Sequence, residues 1–215
     1  MAESQGPLGL LGGTFDPIHV GHLRLALEVR EAAELDCVHL LPAPAPRLRD
    51  QPGVSPEVRL ALVRAAVQGV HGLEADGREL DAPGPTRTVE TLRGMRSSLP
   101  RRPLCWIMGA DAASRLDEWH DWQQLPELAH IVIARRPGTA LPEQGPVARL
   151  IASRRGDARA LARTPAGAVT VCDIPGLDIS ATSIRARLAA GHSIDFLVPE
   201  EVKSMLLDEG MYVHG

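Results

Sequence analysis

The residues best suited to chemistry lie near the start of the chain, in the segment Gly12–His22, which reads Gly-Gly-Thr-Phe-Asp-Pro-Ile-His-Val-Gly-His. A glycine pair lets the backbone approach a phosphate closely, and a helix N-terminus offers unpaired N–H groups and the positive end of a dipole. His19 and His22 are three residues apart, so in a first helical turn they project from the same face and could donate hydrogen bonds to phosphate oxygens. This segment predicts a phosphate site.

The two histidines have an alternative interpretation as ordinary surface residues, and for an isolated pair that interpretation is the better one. Here a glycine pair, a turn and a helix start are in register with His19 and His22, which favours the phosphate site. Gly21, next to His22, leaves out a side chain that would crowd a ligand.

A second candidate phosphate contact lies in Asp178–Arg185, with the sequence Asp-Ile-Ser-Ala-Thr-Ser-Ile-Arg. Hydroxyls at Ser180, Thr182 and Ser183 precede or begin a predicted helix, where they can cap it and also contact an anion. Arg185 would lie in the first turn and could reach a phosphate. On its own, the segment is better explained as a helix N-cap.

A third segment could hold a ribose and a ring. Gly109 and Asp111 follow the predicted strand Leu104–Met108, and a carboxylate at the carboxyl end of a strand can accept hydrogen bonds from ribose hydroxyls. Trp119, in Trp-His-Asp-Trp, offers a flat apolar face on which the ring of a ligand could stack, and packing inside the protein is the alternative.

A fourth segment, His130–Gly138, is a predicted strand that delivers Arg135 and Arg136 to the same edge. Arginines there could stack on adenine or hold phosphates. As isolated surface charges they would have no such role.

These motifs require a scaffold that presents them at one edge of a sheet. The chain begins with the order strand, helix, strand, which is that of a βαβ unit with a right-handed crossover. Further alternation implies a parallel sheet covered by helices on both faces, so the predicted fold is α/β, a Rossmann-like doubly wound parallel sheet with a short C-terminal helical extension. We predict strands at Leu8–Leu11, Val38–Leu41, Leu104–Met108, His130–Ala134 and Ala168–Cys172, and helices over about 22–35, from Ser55, over Thr88–Ser98, from near Ser183 to Gly191 and from Pro199.

Composition excludes several classes of protein. The 215 residues are 44% hydrophobic and 23% charged, the balance of an ordinary globular protein. A formal net charge of −4 argues against a general nucleic-acid binder, and no apolar run approaches the roughly 18 residues that span a bilayer. The start has no basic region typical of a signal peptide, and Cys37, Cys105 and Cys172 are expected to be buried thiols. We therefore expect a cytoplasmic protein with no nucleic-acid or membrane partner.

The segment Gly12–His22 resembles the fingerprint of the HxGH nucleotidyltransferase superfamily over its whole length. Asp178–Arg185 resembles the ISSTxIR element of the same superfamily. The order of Gly-Ala-Asp, Trp-x-x-Trp and Arg-Arg-Pro-Gly between them looks like that of nicotinate-nucleotide adenylyltransferases, and the likeness runs from about Leu8 to Tyr212.

The resemblance implies a single nucleotidyltransferase domain over 1–215, in which the C-terminal helices of about 180–212 are part of the same unit. The implied reaction transfers the adenylyl group of ATP to nicotinate mononucleotide and forms nicotinate adenine dinucleotide and pyrophosphate in NAD biosynthesis. Mg²⁺ would arrive with ATP, with no metal site of the protein's own, and a homo-oligomer is possible.

The resemblance also implies roles for residues. His19 and His22 are the expected catalytic pair. The expected ATP and phosphate contacts are Gly12, Gly13, Thr14, Phe15, Gly21, Ser180, Thr182 and Arg185. The expected mononucleotide or ribose contacts are Asp16, Arg49, Thr88, Gly109, Asp111, Trp119, His120 and Arg136.

Three departures from the family pattern affect individual contacts. The family often has Pro-Pro-His-Lys after the second strand, whereas this chain has Ala-Pro-Arg-Leu-Arg, with Leu48 between two arginines and no histidine. Arg87 replaces a tyrosine before Thr88, and Ala181 replaces a serine. The arginines at 47 and 49 could supply the missing charge.

Two other functions stay open from the sequence. The first is the same chemistry on nicotinamide mononucleotide or phosphopantetheine. The second is a nucleotide-binding module without catalysis, against which the intact His19, Gly21 and His22 argue.

Overall fold

A computed structural model describes residues 6–44, 53–81 and 86–213 of the chain. Its sheet has six strands in the order β3-β2-β1-β4-β5-β6. The strands are β1 Leu8–Gly13, β2 Cys37–Pro42, β3 Leu73–Ala75, β4 Leu104–Gly109, β5 His130–Arg135 and β6 Val169–Asp173. The pairings of β1 with β4, β4 with β5 and β5 with β6 are parallel. This order confirms the predicted α/β, doubly wound parallel sheet.

The helices follow the strands along the chain, as the alternation predicts. They are α1 Val20–Ala32, α2 Pro56–Val67, α3 Thr88–Ser98, α4 Ala110–Ala113, α5 Leu125–Leu128, α6 Gly145–Ser153, α7 Ala158–Arg163, α8 Ala181–Ala189 and α9 Glu200–Asp208. The C-terminal pair α8 and α9 confirms the predicted helical extension. None of the helices in the described ranges is long and apolar enough to cross a membrane.

The local sequence explains where α2 begins. The Ser55 hydroxyl accepts a hydrogen bond from the Val58 N–H at 3.4 Å, and Pro56 occupies the first helical position, where its missing N–H costs nothing. Glu57 adds a negative charge near the positive end of the helix dipole. The predicted helix start at Ser55 is therefore confirmed.

The central strands carry the core. In β4 and β5 the first five residues are all buried, so side chains on both faces of the sheet are covered, as expected of a doubly wound fold. Cys105 in β4 is buried, and burial raises the pKa of its thiol to about 12. Cys172 is also buried, whereas Cys37 is only half-buried, so the expectation of three buried thiols is wrong for Cys37.

By proximity of their Cα atoms, residues divide into two compact units. The first comprises Met1–Leu11, Ala26–His39 and Arg87–Gly176, and the second comprises Gly12–Leu25, Leu40–Thr86 and Leu177–Gly215. The second unit therefore contains the turn after β1 together with α2, α8 and α9. The first contains α3 and the segments around Trp119 and Arg136.

A fully buried histidine ties β5 to the chain before β6 within the first unit. The Ala168 N–H donates to His130 Nδ1 at 3.0 Å, and Nε2 lies 2.7 Å from the Thr164 carbonyl oxygen. Nδ1 is therefore an acceptor and Nε2 the donor, which is the neutral imidazole. Burial, with Arg96 nearby, lowers the pKa of His130.

This arrangement predicts a loss of stability in mild acid. Because the folded-state pKa lies below the unfolded value of about 6.5, the unfolded chain binds a proton that the folded chain excludes. The stability is complete above about pH 6.5 and falls as the pH drops toward the lower folded-state pKa, by up to about 1.4 kcal/mol per pH unit. Thermal unfolding between pH 7.5 and 5.5 measures it. The variant His130→Gln, which cannot titrate, should show a shallower fall, and equal slopes for the two proteins would contradict the assignment.

Candidate functional site

The segment Gly12–His19, which we call the phosphate turn, joins the end of β1 to the start of α1. The predicted strand–turn–helix arrangement is confirmed, and α1 begins at Val20, two residues before the predicted start at His22. Phe15 has a φ of 48°, and its buried ring lies beneath Gly13. A Cβ atom at Gly13 would lie 2.9 Å from that ring, so glycine is needed there for the close approach of the phenyl group.

His19 and His22 form a stacked pair at the end of this turn. Their ring centroids are 3.7 Å apart with an interplanar angle of 27°, and Phe15 meets the His22 ring edge-on at 5.0 Å. The His22 N–H donates to the His19 carbonyl at 2.9 Å, which closes the first turn of the helix. The predicted common face of the two histidines is therefore present. Two parallel imidazoles can present ring nitrogens to adjacent oxygens of one phosphate chain.

Gly21 leaves space for a side chain of the turn itself, whereas the sequence predicted space for a ligand. A Cβ atom at this position would lie 3.0 Å from both Cε1 and Nδ1 of His19. The missing side chain thus leaves room for the His19 ring itself, in addition to any ligand.

Asp16 connects the phosphate turn to two distant segments of the chain. Its side chain is buried, and its two carboxylate oxygens accept from the Tyr212 hydroxyl at 2.6 Å and from the Gly53 N–H at 3.1 Å. Burial and this hydrogen bond raise the pKa of Tyr212, so the phenol keeps the proton that it donates. No pattern in the sequence indicates that Tyr212 reaches Asp16, and the predicted mononucleotide or ribose contact of Asp16 remains a prediction.

Arg185 brings the start of α8 against the phosphate turn. Its Nη1 donates to the Asp16 carbonyl at 2.7 Å and lies 3.5 Å from the Asp16 carboxylate, while Nη2 donates to Thr182 Oγ1 at 3.4 Å. Ser180 caps α8, since its hydroxyl accepts from the Ser183 N–H at 3.1 Å. Ser180 and Thr182 are exposed. The two predicted phosphate segments are therefore neighbours within the second unit.

Arg59, in α2, is a member of this site that sequence reasoning missed. Its side chain is 0% exposed, and it donates to the Thr14 carbonyl at 2.6 Å and to the Pro44 carbonyl at 3.0 Å. Burial lowers the pKa of its guanidinium, and the charge of Asp16 opposes that effect. A signal was available: Arg59 occupies the same helix stripe as the buried Leu62 and Ala66, where a charged residue is unusual.

In the first unit, Arg87 links two of the predicted mononucleotide residues. Arg87 Nη1 lies 2.9 Å from His120 Nε2 and 3.7 Å from the Glu90 carboxylate. Thr88 is the first residue of α3 and follows Arg87 directly. Because the guanidinium can only donate, Nε2 of His120 accepts and the ring proton is on Nδ1. Arg87, which stands where the family pattern has a tyrosine, thus contacts His120.

The other predicted contacts of the first unit are mostly exposed. Gly109 ends β4, and Asp111 in the first turn of α4 pairs with Arg136 at 3.8 Å. Arg135, by contrast, is occupied by Asp173, with which it forms hydrogen bonds of 2.5 and 2.8 Å. Trp119 is half-buried. Arg49 lies outside the described residues, as does the rest of 45–52.

Comparison with known proteins identifies one family and relatives that share one name. The family described as Cytidylyltransferase-like matches residues 10–187. A protein of Marinobacter nauticus named "Probable nicotinate-nucleotide adenylyltransferase" is 47% identical over 205 residues, which is 94% of this chain and 95% of that protein. A protein of the same name from Halorhodospira halophila is 46% identical over 216 residues, 99% of this chain and 98% of the relative.

A solved structure shares the fold at low identity. It is that of Plasmodium falciparum nicotinic acid mononucleotide adenylyltransferase complexed with NaAD. The TM-score is 0.75 at 14% identity, and the match covers 98% of each chain.

The close approach of Gly21 to His19 gives a test of the histidine pair. We expect Gly21→Ala to lower kcat about tenfold, because the new methyl group forces the His19 ring to shift by a few tenths of an ångström relative to His22. The fold should hold, since alanine favours a helix over glycine by about 1 kcal/mol. Steady-state kinetics and thermal unfolding measure both effects. The matched control is Gly94→Ala, in α3, where a Cβ atom meets nothing within 4 Å. A wild-type kcat in Gly21→Ala would contradict the role of the stack.

Proposed function

The chain belongs to the cytidylyltransferase-like family and, within it, to the nicotinate-nucleotide adenylyltransferases of NAD biosynthesis, and from this premise we propose which of its residues carry the reaction. In this reaction an oxygen of the nicotinate mononucleotide 5′-phosphate bonds to the α-phosphorus of ATP. The bond from that phosphorus to the bridging oxygen of pyrophosphate breaks. The products are nicotinate adenine dinucleotide and pyrophosphate.

His19 and His22 act on the triphosphate, and their stacked geometry is the observation that carries this proposal. The attacking phosphate is already an anion, so the protein needs no nucleophile of its own and no strong base. Catalysis then consists of positioning and of stabilising the charge that develops on the leaving pyrophosphate. Ring N–H groups of the two histidines supply that stabilisation.

The rest of the phosphate turn and the start of α8 hold the triphosphate. Arg185 reaches the β and γ phosphates from a position that the Asp16 carbonyl already fixes, so little side-chain freedom is lost on binding. Ser180 and Thr182 are exposed beside it and add hydroxyl contacts. The backbone of the turn lines the site through Gly12, Gly13, Thr14, Phe15 and Gly21.

Mg²⁺ would enter with ATP, held by phosphate oxygens and water, and would neutralise charge on the triphosphate. The donor set of the phosphate turn supports this, because its buried carboxylate, Asp16, already accepts from Tyr212 and Gly53 through both oxygens. Mg²⁺ commonly keeps several waters and needs few protein carboxylates.

The mononucleotide is recognised by residues of the first unit. Trp119 stacks on the pyridine ring, and His120 presents Nδ1–H toward its carboxylate because Arg87 occupies Nε2. The positive charge of Arg87 favours an anionic ring substituent. The remaining contacts that we propose in this unit are Thr88, Gly109, Asp111 and Arg136; Asp16, of the second unit, and Arg49, outside the described residues, are proposed from the sequence alone.

The first test uses acceptor choice and one histidine. Purified protein with Mg·ATP should release pyrophosphate fastest with nicotinate mononucleotide, compared with nicotinamide mononucleotide and phosphopantetheine. His22→Ala should lower kcat by about 10²-fold, the scale of losing one transition-state donor, while the exposed control His71→Ala keeps the wild-type rate. A faster rate with another acceptor would overturn the substrate, and ATP binding without release for any acceptor would favour a binding module.

The second test concerns Arg87 and the choice between acid and amide. Arg87→Leu should lower the ratio of kcat/KM for nicotinate mononucleotide over nicotinamide mononucleotide by about fivefold, the size of one screened charge interaction. Arg93→Leu makes the same change of charge in α3, but Arg93 also pairs with Asp121, which lies beside His120, so Arg101→Leu, at an exposed position of the same unit, is the matched control and its ratio should stay at the wild-type value. Equal ratios in all three proteins would remove Arg87 from acceptor selection.

A further inference from the structure

Arg59 controls the orientation of one peptide group of the phosphate turn. Its guanidinium donates to the Thr14 carbonyl at 2.6 Å, and the same group donates to the Pro44 carbonyl after β2 at 3.0 Å. In a trans peptide the carbonyl and the following N–H point in opposite directions within one plane. Fixing the Thr14 carbonyl on Arg59 therefore fixes the Phe15 N–H on the opposite side of the turn.

Packing alone does not explain an arginine at this position. Its neighbours on the buried stripe of α2 are Leu62, Val63 and Ala66, and an apolar residue there would avoid the cost of burying a cation. The guanidinium is 0% exposed, and Nε has no hydrogen-bond partner among the described residues. What the arginine supplies, and an apolar residue could not, is a pair of donors for two carbonyls in different segments.

Tyr212 fixes the same turn two residues further on. Its hydroxyl donates to Asp16 at 2.6 Å, and its ring lies against Gly53, where a Cβ atom would meet the ring at 2.6 Å. Tyr212 follows α9, and α9 packs against α2, the helix of Arg59. Arg59 and Tyr212 thus bond to the phosphate turn from α2 and from the residues just after α9, two helices that pack against each other.

We propose that Arg59 and Tyr212 are positioning residues of the adenylyl transfer, which set the phosphate turn so that the His19–His22 pair and the Phe15 N–H meet the triphosphate in reactive alignment. This inference rests on the proposed function of the turn. Neither residue touches the reacting atoms; each acts through the backbone or side chain of the turn, Arg59 through Thr14 and Tyr212 through Asp16.

The kinetic test separates positioning from folding. Arg59→Met should lower kcat about 10²-fold, the effect of a misplacement of about 1 Å. Arg59→Lys keeps the charge and one donor, and should recover part of that loss. Tyr212→Phe, which removes only the hydroxyl, should lower kcat several-fold. In all three the KM for Mg·ATP should rise. In the Arg59 variants the KM for nicotinate mononucleotide should stay within about twofold of the wild-type value, whereas in Tyr212→Phe it should rise as well, because Asp16 is a proposed mononucleotide contact.

The controls make each outcome decisive. Arg64→Met removes an exposed arginine from the same helix and should leave kcat unchanged. Circular dichroism and thermal unfolding establish that each variant is folded at the assay temperature, and if Arg59→Met does not fold, Arg59→Lys and Tyr212→Phe decide the question. A purely structural role would lower Tm and leave kcat and both KM values unchanged, and that result in folded Arg59→Lys and Tyr212→Phe overturns the inference.

His22→Ala, measured in parallel, distinguishes the two proposals. If it loses turnover while the Arg59 and Tyr212 variants keep theirs, only the positioning inference fails. If it keeps turnover, the proposed function of the turn fails.

Discussion

The buried carboxylate of Asp16 is the interaction on which the second unit depends. A carboxylate removed from water costs free energy unless donors or cations surround it. Here those donors come from three distant parts of the chain, through Tyr212, the Gly53 N–H and Arg185. The partners of the Asp16 carboxylate therefore place the end of the chain, the segment before α2 and the start of α8 against the turn after β1.

The same turn shows why particular side chains are absent. The Phe15 ring packs directly against Gly13, and the His19 ring packs directly against Gly21. A Cβ atom at either glycine would approach the ring to 3.0 Å or less. The rings of Phe15 and His19 thus fill the space beside the two glycines. Phe15 packs edge-on against His22, and His22 stacks on His19. The cations Arg59 and Arg185 lie against two carbonyls of the same turn, those of Thr14 and Asp16.

The first unit uses charge in another way. The pair Asp111–Arg136 and the contact of Arg87 with His120 are solvent-exposed, so each contributes little to folding. Such groups can exchange a protein partner for a ligand at small cost. Stability in this unit comes instead from the buried strands and from neutral hydrogen bonds such as those of His130.

The sequence by itself determined what depends on neighbours along the chain. Caps at Ser55 and Ser180, the common face of His19 and His22, and the alternation that gives a parallel sheet are all local, and the structure has them. The edge strand β3 was missed because its three residues carry too little pattern. Only the tertiary structure decided which donors meet the phosphate turn. Arg59 bonds Thr14 across 45 residues and Tyr212 bonds Asp16 across 196. No local pattern specifies such pairs, because the need of a buried polar group for a partner does not say where along the chain that partner lies.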